Sequence, residues 1–329
     1  MIDFIGDIHG HCDELRALLK KLGYVEHDGA FRYPGGGRKV VFLGDYIDRG
    51  GQVRDTVNLV RAMRDIGSAV ALMGNHEFNA LCFWQRNGSG GGHLIKGIPG
   101  GYLREHSFNK VAIHARTVES YRGRQQEFRE ALDFFKTLPF YLETDLFRAQ
   151  HACFDADCVQ ALRGAGLTCF ADGNFDELIA RACDSHNEYG DSLFHPLDIL
   201  LKGPEMPLPQ GQTFQDGEGV VRKKMRLRWW IDPKNATLRD IALQPGVEFS
   251  PSELPELVRR RRFYGEEERP VFFGHYWLKG LPALIRKNVC CLDYSIGAFH
   301  GGGRLVAYRF DGEQELDARK FVWVESSSL

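Results

Sequence analysis

No apolar run in this sequence approaches the roughly 18–20 residues that a membrane-spanning helix needs. The opening residues, Met1-Ile2-Asp3-Phe4-Ile5-Gly6-Asp7, lack a basic segment followed by an apolar one, so no secretory signal is expected. An excess of charge is missing too. There are 42 Lys and Arg against 44 Asp and Glu, a net of -2, which argues against a general nucleic-acid or membrane-surface binder. The eight cysteines contain no Cys-x-x-Cys pair, and only Cys290-Cys291 are adjacent. That excludes the usual thiolate zinc site and the dithiol redox motif. The expectation is reduced, mostly buried cysteines in a cytoplasmic protein. No internal repeat is evident.

What is there is enough for a substantial core. The chain has 329 residues, 43% of them apolar, which suits one large domain with insertions, or two. A short apolar run, residues 2–5, ends at Gly6-Asp7-Ile8-His9-Gly10-His11. Leu15, Leu18, Leu19 and Leu22 follow at helical spacing. Residues 28–37 read as a loop or hairpin. The run Val40-Val41-Phe42-Leu43 then leads into Gly44-Asp45-Tyr46-Ile47-Asp48-Arg49-Gly50. A second helix fits Val53, Val57 and Val60, and a third strand, 69–73, ends at Gly74-Asn75-His76-Glu77. Strand, loop and helix thus repeat, as in a parallel sheet with crossover helices, where the functional loops gather at the strands' carboxyl ends.

Later order is looser. Residues 87–101 hold seven glycines, a linker more than a lid. A helix is predicted over 124–136 and a hairpin or strand over 141–150, ending at His151. Residues 155–269 are irregular and polar and are expected to form an insertion or cap over the site. The charge run of 259–262 followed by Glu266 to Glu268 reads as a solvated helix face with its neutralising partner. Strands return at 271–273, before Gly274-His275, and at 289–292, before Asp293. Residues 304–310 and 319–324 alternate like antiparallel strands of a second sheet.

The polar groups at the strand ends are Asp7, His9, Asp45, Asp48, Arg49, Asn75, His76, His151 and His275. Mixed Asp, His and Asn donors suit Mn, Fe or Zn better than calcium. Two metals about 3.5–4 Å apart are the usual arrangement for hydrolysing phosphate esters. Such a pair needs a bridging carboxylate, and Asp45 is the natural choice. Arg49 suits the fork geometry of a phosphate.

Gly6-Asp7-Ile8-His9-Gly10, Gly44-Asp45-Tyr46-Ile47-Asp48-Arg49-Gly50 and Gly74-Asn75-His76-Glu77, in this order, resemble the three signature motifs of the phosphoprotein-phosphatase-like (calcineurin-like) metallophosphoesterases. The resemblance implies an α/β fold of four layers, two mixed β-sheets flanked by helices, as a single domain over 1–329. It implies a dinuclear-metal phosphoesterase that transfers the phosphoryl group directly to water. Asp7, His9, Asp45, Asn75, His151 and His275 would be the metal ligands, with Asp45 bridging. His76 would be the general acid, Asp48 its orienting partner, and Arg49 the phosphate-binding group.

The sequence departs from the protein-phosphatase pattern at Ala152-Cys153, where that branch has two glycines. Gly274-His275-Tyr276-Trp277, Cys291-Leu292-Asp293 and His300-Gly301-Gly302 resemble the bacterial branch that includes the symmetrical dinucleoside-tetraphosphate hydrolases. Arg228-Trp229-Trp230-Ile231-Asp232-Pro233 is faintly similar to a Trp-Ser-Asp-Pro segment of the eukaryotic enzymes, where an upstream arginine also grips phosphate. Arg222, Arg226 and Arg228 are the candidates. The substrate stays open between a phosphoprotein, another phosphomonoester and a dinucleoside polyphosphate. A non-catalytic binding protein on this scaffold is the reading from a different class, and the full ligand set weighs against it. Glu77 is expected to anchor a loop by hydrogen bonds. His11 reads as an outer-sphere or surface residue, and His27, His93, His106, His114, His186 and His195 as structural or solvent-exposed. His300 divides between loop filler and site neighbour.

Overall fold

The computed structural model describes residues 1–90, 94–96, 101–186, 191–208, 212–215, 221–243, 258, 263–298 and 301–327. Parts of the glycine-rich stretch 87–101, His93, His300 and the charge run 259–262 lie outside them.

Two mixed sheets face each other. In the first, the parallel strands Ile2–Ile5, Lys39–Phe42 and Ala69–Ala71 lie in that order. The long strand Arg304–Phe310 pairs antiparallel with Ile2–Ile5, and Phe321–Glu325 pairs with its other edge. The second sheet runs Val289–Cys291, Val271–Phe273, Arg148–Gln150, Tyr141–Glu143, the first three parallel and the last antiparallel. The chain passes from the second sheet to the first at Leu292, because Asp293–Tyr294 pairs with Leu305 and Arg304.

The core follows from the two-residue period of a strand. Phe4, Val41, Leu43, Phe272, Cys290 and Tyr308 point between the sheets and form one cluster. Their neighbours Ile5, Val40, Phe42, Val271, Phe273 and Cys291 point outward into a second cluster that the helices cover. Phe4 and Phe272 stack across the inter-sheet gap with ring centroids 3.8 Å apart. Burying each such ring contributes about 1.5–3 kcal/mol. Helices Cys12–Lys21 and Val53–Asp65 bury Leu15, Leu18, Val57 and Val60 on the outer face, as the spacing predicts.

Residues 28–37 enter a hairpin made of Val25–His27 and Ala30–Arg32. The last strand begins at Phe321 rather than 319, because Ala318–Lys320 form a 3-10 turn capped by the Asp317 carboxylate. Within 155–269, helices Ala156–Gly164, Phe175–Cys183 and Phe194–Lys202 place Leu162, Ile179 and Leu200 in the main core. Farther on, Leu208, Met225, Leu227, Leu238, Ile241 and Val258 make a small cluster of their own. All eight cysteines are free thiols, and all but Cys183 are buried. Among the described residues, no helix is long and apolar enough to cross a membrane.

Candidate metal centre

The loops that follow the strands of both sheets meet, and backbone bonds lock them together. Ile8 and His9 donate their N–H groups to the Asp45 carbonyl at 3.0 and 2.8 Å, and Gly274 donates to the His151 carbonyl at 2.7 Å. Glu77, buried at the start of helix Asn75–Trp84, fastens the second loop from the third. Its carboxylate accepts from the N–H groups of Asp45, Tyr46, Ile47 and Gly74 at 2.9, 2.8, 3.3 and 3.1 Å. Two glycines in the motifs are there for room. A Cβ on Gly74 would come within 2.3 Å of the Asp45 Oδ1, and one on Gly274 within 1.9 Å of the Asp7 Oδ1.

His9, Asp45, Asp48, Arg49 and His275 all have φ between 50° and 71°, a region that side chains other than glycine seldom adopt. Such strain persists only where the surroundings over-determine it, and here it aims five polar side chains inward.

Two groups of side chains result, and they share Asp45. His9, Asp45 and His76 offer atoms that lie within 4.8 Å of one another; so do Asp45, His151 and His275. His9 donates from Nδ1 to the Ile47 carbonyl at 2.9 Å, which leaves a lone pair on Nε2. That nitrogen faces the Asp45 Oδ2 at 3.6 Å and has no hydrogen-bond partner among the described residues. His151 donates from Nδ1 to the Leu43 carbonyl at 2.8 Å, and its Nε2 lies 2.9 Å from the Asn75 Oδ1 and 3.4 Å from the Asp45 Oδ1, whose charge outweighs burial and raises the His151 pKa. The Nε2 of His275 is also buried with no hydrogen-bond partner among the described residues. Burial, reinforced by neighbouring positive charge, pushes His9 down to about 3 and His275 well below the imidazole range, so both rings are neutral. Lone pairs buried face to face repel one another unless a cation lies between them. The donor set fits divalent metal ions on that ground.

Asp7 stands in neither group. Its carboxylate accepts from the His275 N–H at 3.1 Å. Burial and the charges of Asp293 and Asp45 push its pKa well up, as expected of a carboxylate that lacks a neighbouring cation.

One member of the first group, His76, also belongs to a proton-holding chain. The Nδ1–H of His76 donates to the Asp48 Oδ2 at 2.5 Å, and its Nε2 faces the Asp45 Oδ2 at 3.9 Å. Burial would lower the His76 pKa, but the Asp45 charge and the Asp48 bond outweigh it and raise it. The other Asp48 oxygen accepts from the Thr117 hydroxyl at 2.5 Å and from the Nδ1 of His114 at 2.9 Å. The indole N–H of Trp84 donates to the His114 Nε2 at 3.0 Å, which fixes the tautomer. Burial alone would raise the Asp48 pKa, yet the bonds from His114 and His76 hold it well below the carboxylate range.

Of the two expectations for His114, structural or solvent-exposed, burial leaves the first, and the residue lies on a helix, Phe108–Ser120, that the sequence pattern did not predict. Thr117 sits one turn further along that helix. Their spacing of three is compatible with one helical face, but nothing in the sequence ties that face to Asp48.

Arg49 lays its guanidinium 4.9 Å from the centre of the Trp277 ring. Trp277 is itself fixed through its N–H, which donates to the Asp293 carboxylate at 2.7 Å. Of the three upstream arginines, Arg226 donates from Nη1 to the His275 carbonyl at 3.1 Å, while Arg228 donates to the Asp240 carbonyl at 3.3 Å and Arg222 is exposed. His11 is half-buried and faces Glu14 at 3.7 Å.

The family model described as calcineurin-like phosphoesterase matches residues 1–275. The chain belongs to the calcineurin-like phosphoesterase family. Divalent metal ions belong with a calcineurin-like phosphoesterase, and the two donor groups around Asp45 accord with them. Among curated proteins the chain is similar to "Bis(5'-nucleosyl)-tetraphosphatase PrpE [asymmetrical]" of Geobacillus sp. (strain WCH70), with 47% identity over 75 residues, 23% of this chain and 30% of that protein. The protein of the same name from Bacillus subtilis (strain 168) is 39% identical over 74 residues, 22% of this chain and 30% of that protein. The match spans about a third of the length of these curated relatives. A solved structure titled as a putative diadenosine tetraphosphatase superposes with TM-score 0.44 at 15% identity, covering 99% of this chain and 93% of that one. A serine/threonine phosphatase from Saccharomyces cerevisiae gives TM-score 0.46 at 14% identity, covering 100% of this chain and 80% of that one.

Proposed function

We propose that this calcineurin-like phosphoesterase hydrolyses phosphate esters by direct transfer of the phosphoryl group to water. The observation that carries the reading is that one carboxylate, Asp45, belongs to two groups of buried donors, with His9 and His76 in one and His151 and His275 in the other, and that His76 is also held through Nδ1 by the Asp48 carboxylate. Asp7, His9, Asp45, Asn75, His151 and His275 would hold two divalent ions, manganese by preference, with iron or zinc as alternatives. Bound there, the ions supply positive charge to the phosphoryl oxygens and lower the pKa of a water molecule.

The chain's own residues do the rest. Arg49 forks onto the phosphoryl oxygens from its seat on Trp277, and Arg226 adds a second positive charge beside the His275 loop. The oxygen–phosphorus bond to the leaving group breaks as the bond to water forms. His76 gives its Nε2 proton to the departing oxygen, while Nδ1–H stays on Asp48. Residues 155–269 supply part of the cleft wall in this reading. Free, mostly buried cysteines support a cytoplasmic setting.

The substrate is a phosphoprotein or another phosphomonoester. A second reading, a dinucleoside polyphosphate, is favoured by the names of the curated relatives. Those names say asymmetrical, whereas the carboxyl-terminal resemblance is to the symmetrical enzymes. The purified chain in Mn²⁺ buffer is expected to hydrolyse p-nitrophenyl phosphate. A panel of phosphopeptide, diadenosine tetraphosphate and bis-ester then separates the readings. No turnover of any of the four after metal loading overturns the phosphoesterase proposal.

A further inference from the structure

Asp293 directly follows the strand run 289–292, yet it belongs to neither donor group around Asp45. Its carboxylate is buried and given over to backbone donors. Oδ2 accepts from the Trp277 N–H at 2.7 Å, and Oδ1 accepts from the Ser295 N–H at 2.9 Å. The same two segments are joined further. Leu278 donates its N–H to the Asp293 carbonyl at 3.0 Å, and the Ser295 hydroxyl donates to the Leu278 carbonyl at 2.9 Å. Residues 277–278 are thus stapled to residues 293–295 through both backbone and side chain.

The staple holds an awkward residue. Trp277 has φ 52°, a conformation that a bulky side chain seldom adopts and keeps only where its surroundings over-determine it. Its half-buried indole meets two residues of the site. The Arg49 guanidinium lies 4.9 Å from the ring centre, and the His9 ring is 6.0 Å away, tilted by 39°. The Arg49 loop is fixed at its backbone, where Gly50 donates to the His9 carbonyl at 2.8 Å. What a loop cannot fix is the far end of a long, flexible arginine stem. Attraction to a ring face restrains the guanidinium without using any of its N–H groups, which a carboxylate in the same place would occupy.

We propose that Trp277 is a positioning residue for Arg49, and that Asp293 acts through Trp277 by holding the left-handed turn that aims the ring. The ring acts on phosphate only through the guanidinium. The inference rests on the phosphoesterase reading, in which Arg49 grips the phosphoryl oxygens, and deepens it by assigning what aims that grip.

The test reads orthophosphate affinity by titration calorimetry on the full chain, at one fixed free Mn²⁺ concentration, with metal content measured on the same samples by mass spectrometry. Trp277→Leu, which keeps apolar bulk but not the ring, is expected to weaken orthophosphate roughly 3- to 30-fold. Trp277→Phe keeps a ring and is expected to recover most of that loss. In an Arg49→Ala background, Trp277→Leu is expected to change the affinity by less than about twofold, because a residue that works only through Arg49 then has nothing to work on. Asp293→Asn keeps an acceptor oxygen for only one of the two N–H groups and is expected to give a smaller loss that likewise vanishes without Arg49. The proposal for Trp277 is overturned if Trp277→Leu costs nothing, if its loss persists in the Arg49→Ala background, if Trp277→Phe fails to recover it, or if it follows a fall in metal content, which would place the effect on His9. An Asp293→Asn loss that persists without Arg49 removes Asp293 from the arrangement. Turnover of p-nitrophenyl phosphate by the unmodified chain is scored separately. If it is absent while Trp277 and Arg49 stay coupled in orthophosphate binding, the phosphoesterase reading fails and the positioning stands. If it is present while the two are uncoupled, the positioning fails alone.

Discussion

The Nδ1 of His114 lies 2.9 Å from Oδ1 of Asp48, the carboxylate oxygen that His76 leaves to others. Because Trp84 donates to the far nitrogen of the same ring, His114 acts as a neutral donor and draws charge away from the oxygen facing His76. Removing it concentrates negative charge on that oxygen. The His76 proton is then held more tightly. His114→Ala is therefore expected to move the alkaline limb of the kcat/KM profile to higher pH and to lower kcat about tenfold through lost orientation. A profile that falls in height without moving would leave His114 as a packing residue only.

The general-acid role of His76 is best read with a poor leaving group. A nitrophenolate departs readily unprotonated, whereas the alkoxide of phosphoserine needs the proton. His76→Gln is expected to lower kcat by roughly 10²–10⁴ on a phosphoserine peptide and by less on p-nitrophenyl phosphate. Metal content, measured by mass spectrometry, should stay near that of the unmodified chain. Equal losses on the two substrates would argue that the ring positions rather than protonates.

Asp45 offers one oxygen to His151 and the other to His9 and His76. If it bridges, Asp45→Asn weakens both metal sites together, because the amide has lost the charge that each ion shares. Competition with a chelator should show two sites weakened in parallel. Selective loss from one site would falsify the bridging assignment.

Glu77 is fully buried, and its carboxylate serves four backbone N–H groups from two loops. Glu77→Ala strands those donors and is expected to cost about 3–5 kcal/mol, read from urea unfolding. Glu77→Gln keeps an acceptor oxygen and should cost clearly less. If both variants melt with the unmodified chain, Glu77 does not hold the loops.

Sequence alone determined the strand ends. Asp7, His9, Asp45, Asp48, Asn75 and His76 each closely follow a short apolar strand, so parallel pairing of Ile2–Ile5, Lys39–Phe42 and Ala69–Ala71 brings them to one edge whatever the rest of the chain does. The anchoring role of Glu77 was legible for the same reason, since it opens a helix directly after that edge. Tertiary structure decided what no local pattern encodes. His114 and Thr117 meet Asp48 across 66 and 69 residues, and only the docking of helix Phe108–Ser120 sets that register. Arg226 finds His275, and Arg104 finds Asn79, by packing of segments for which the sequence pattern predicts no regular element at either arginine. Periodicity fixes which face of an element is buried. Which polar group it meets there depends on how elements far apart in the chain pack together.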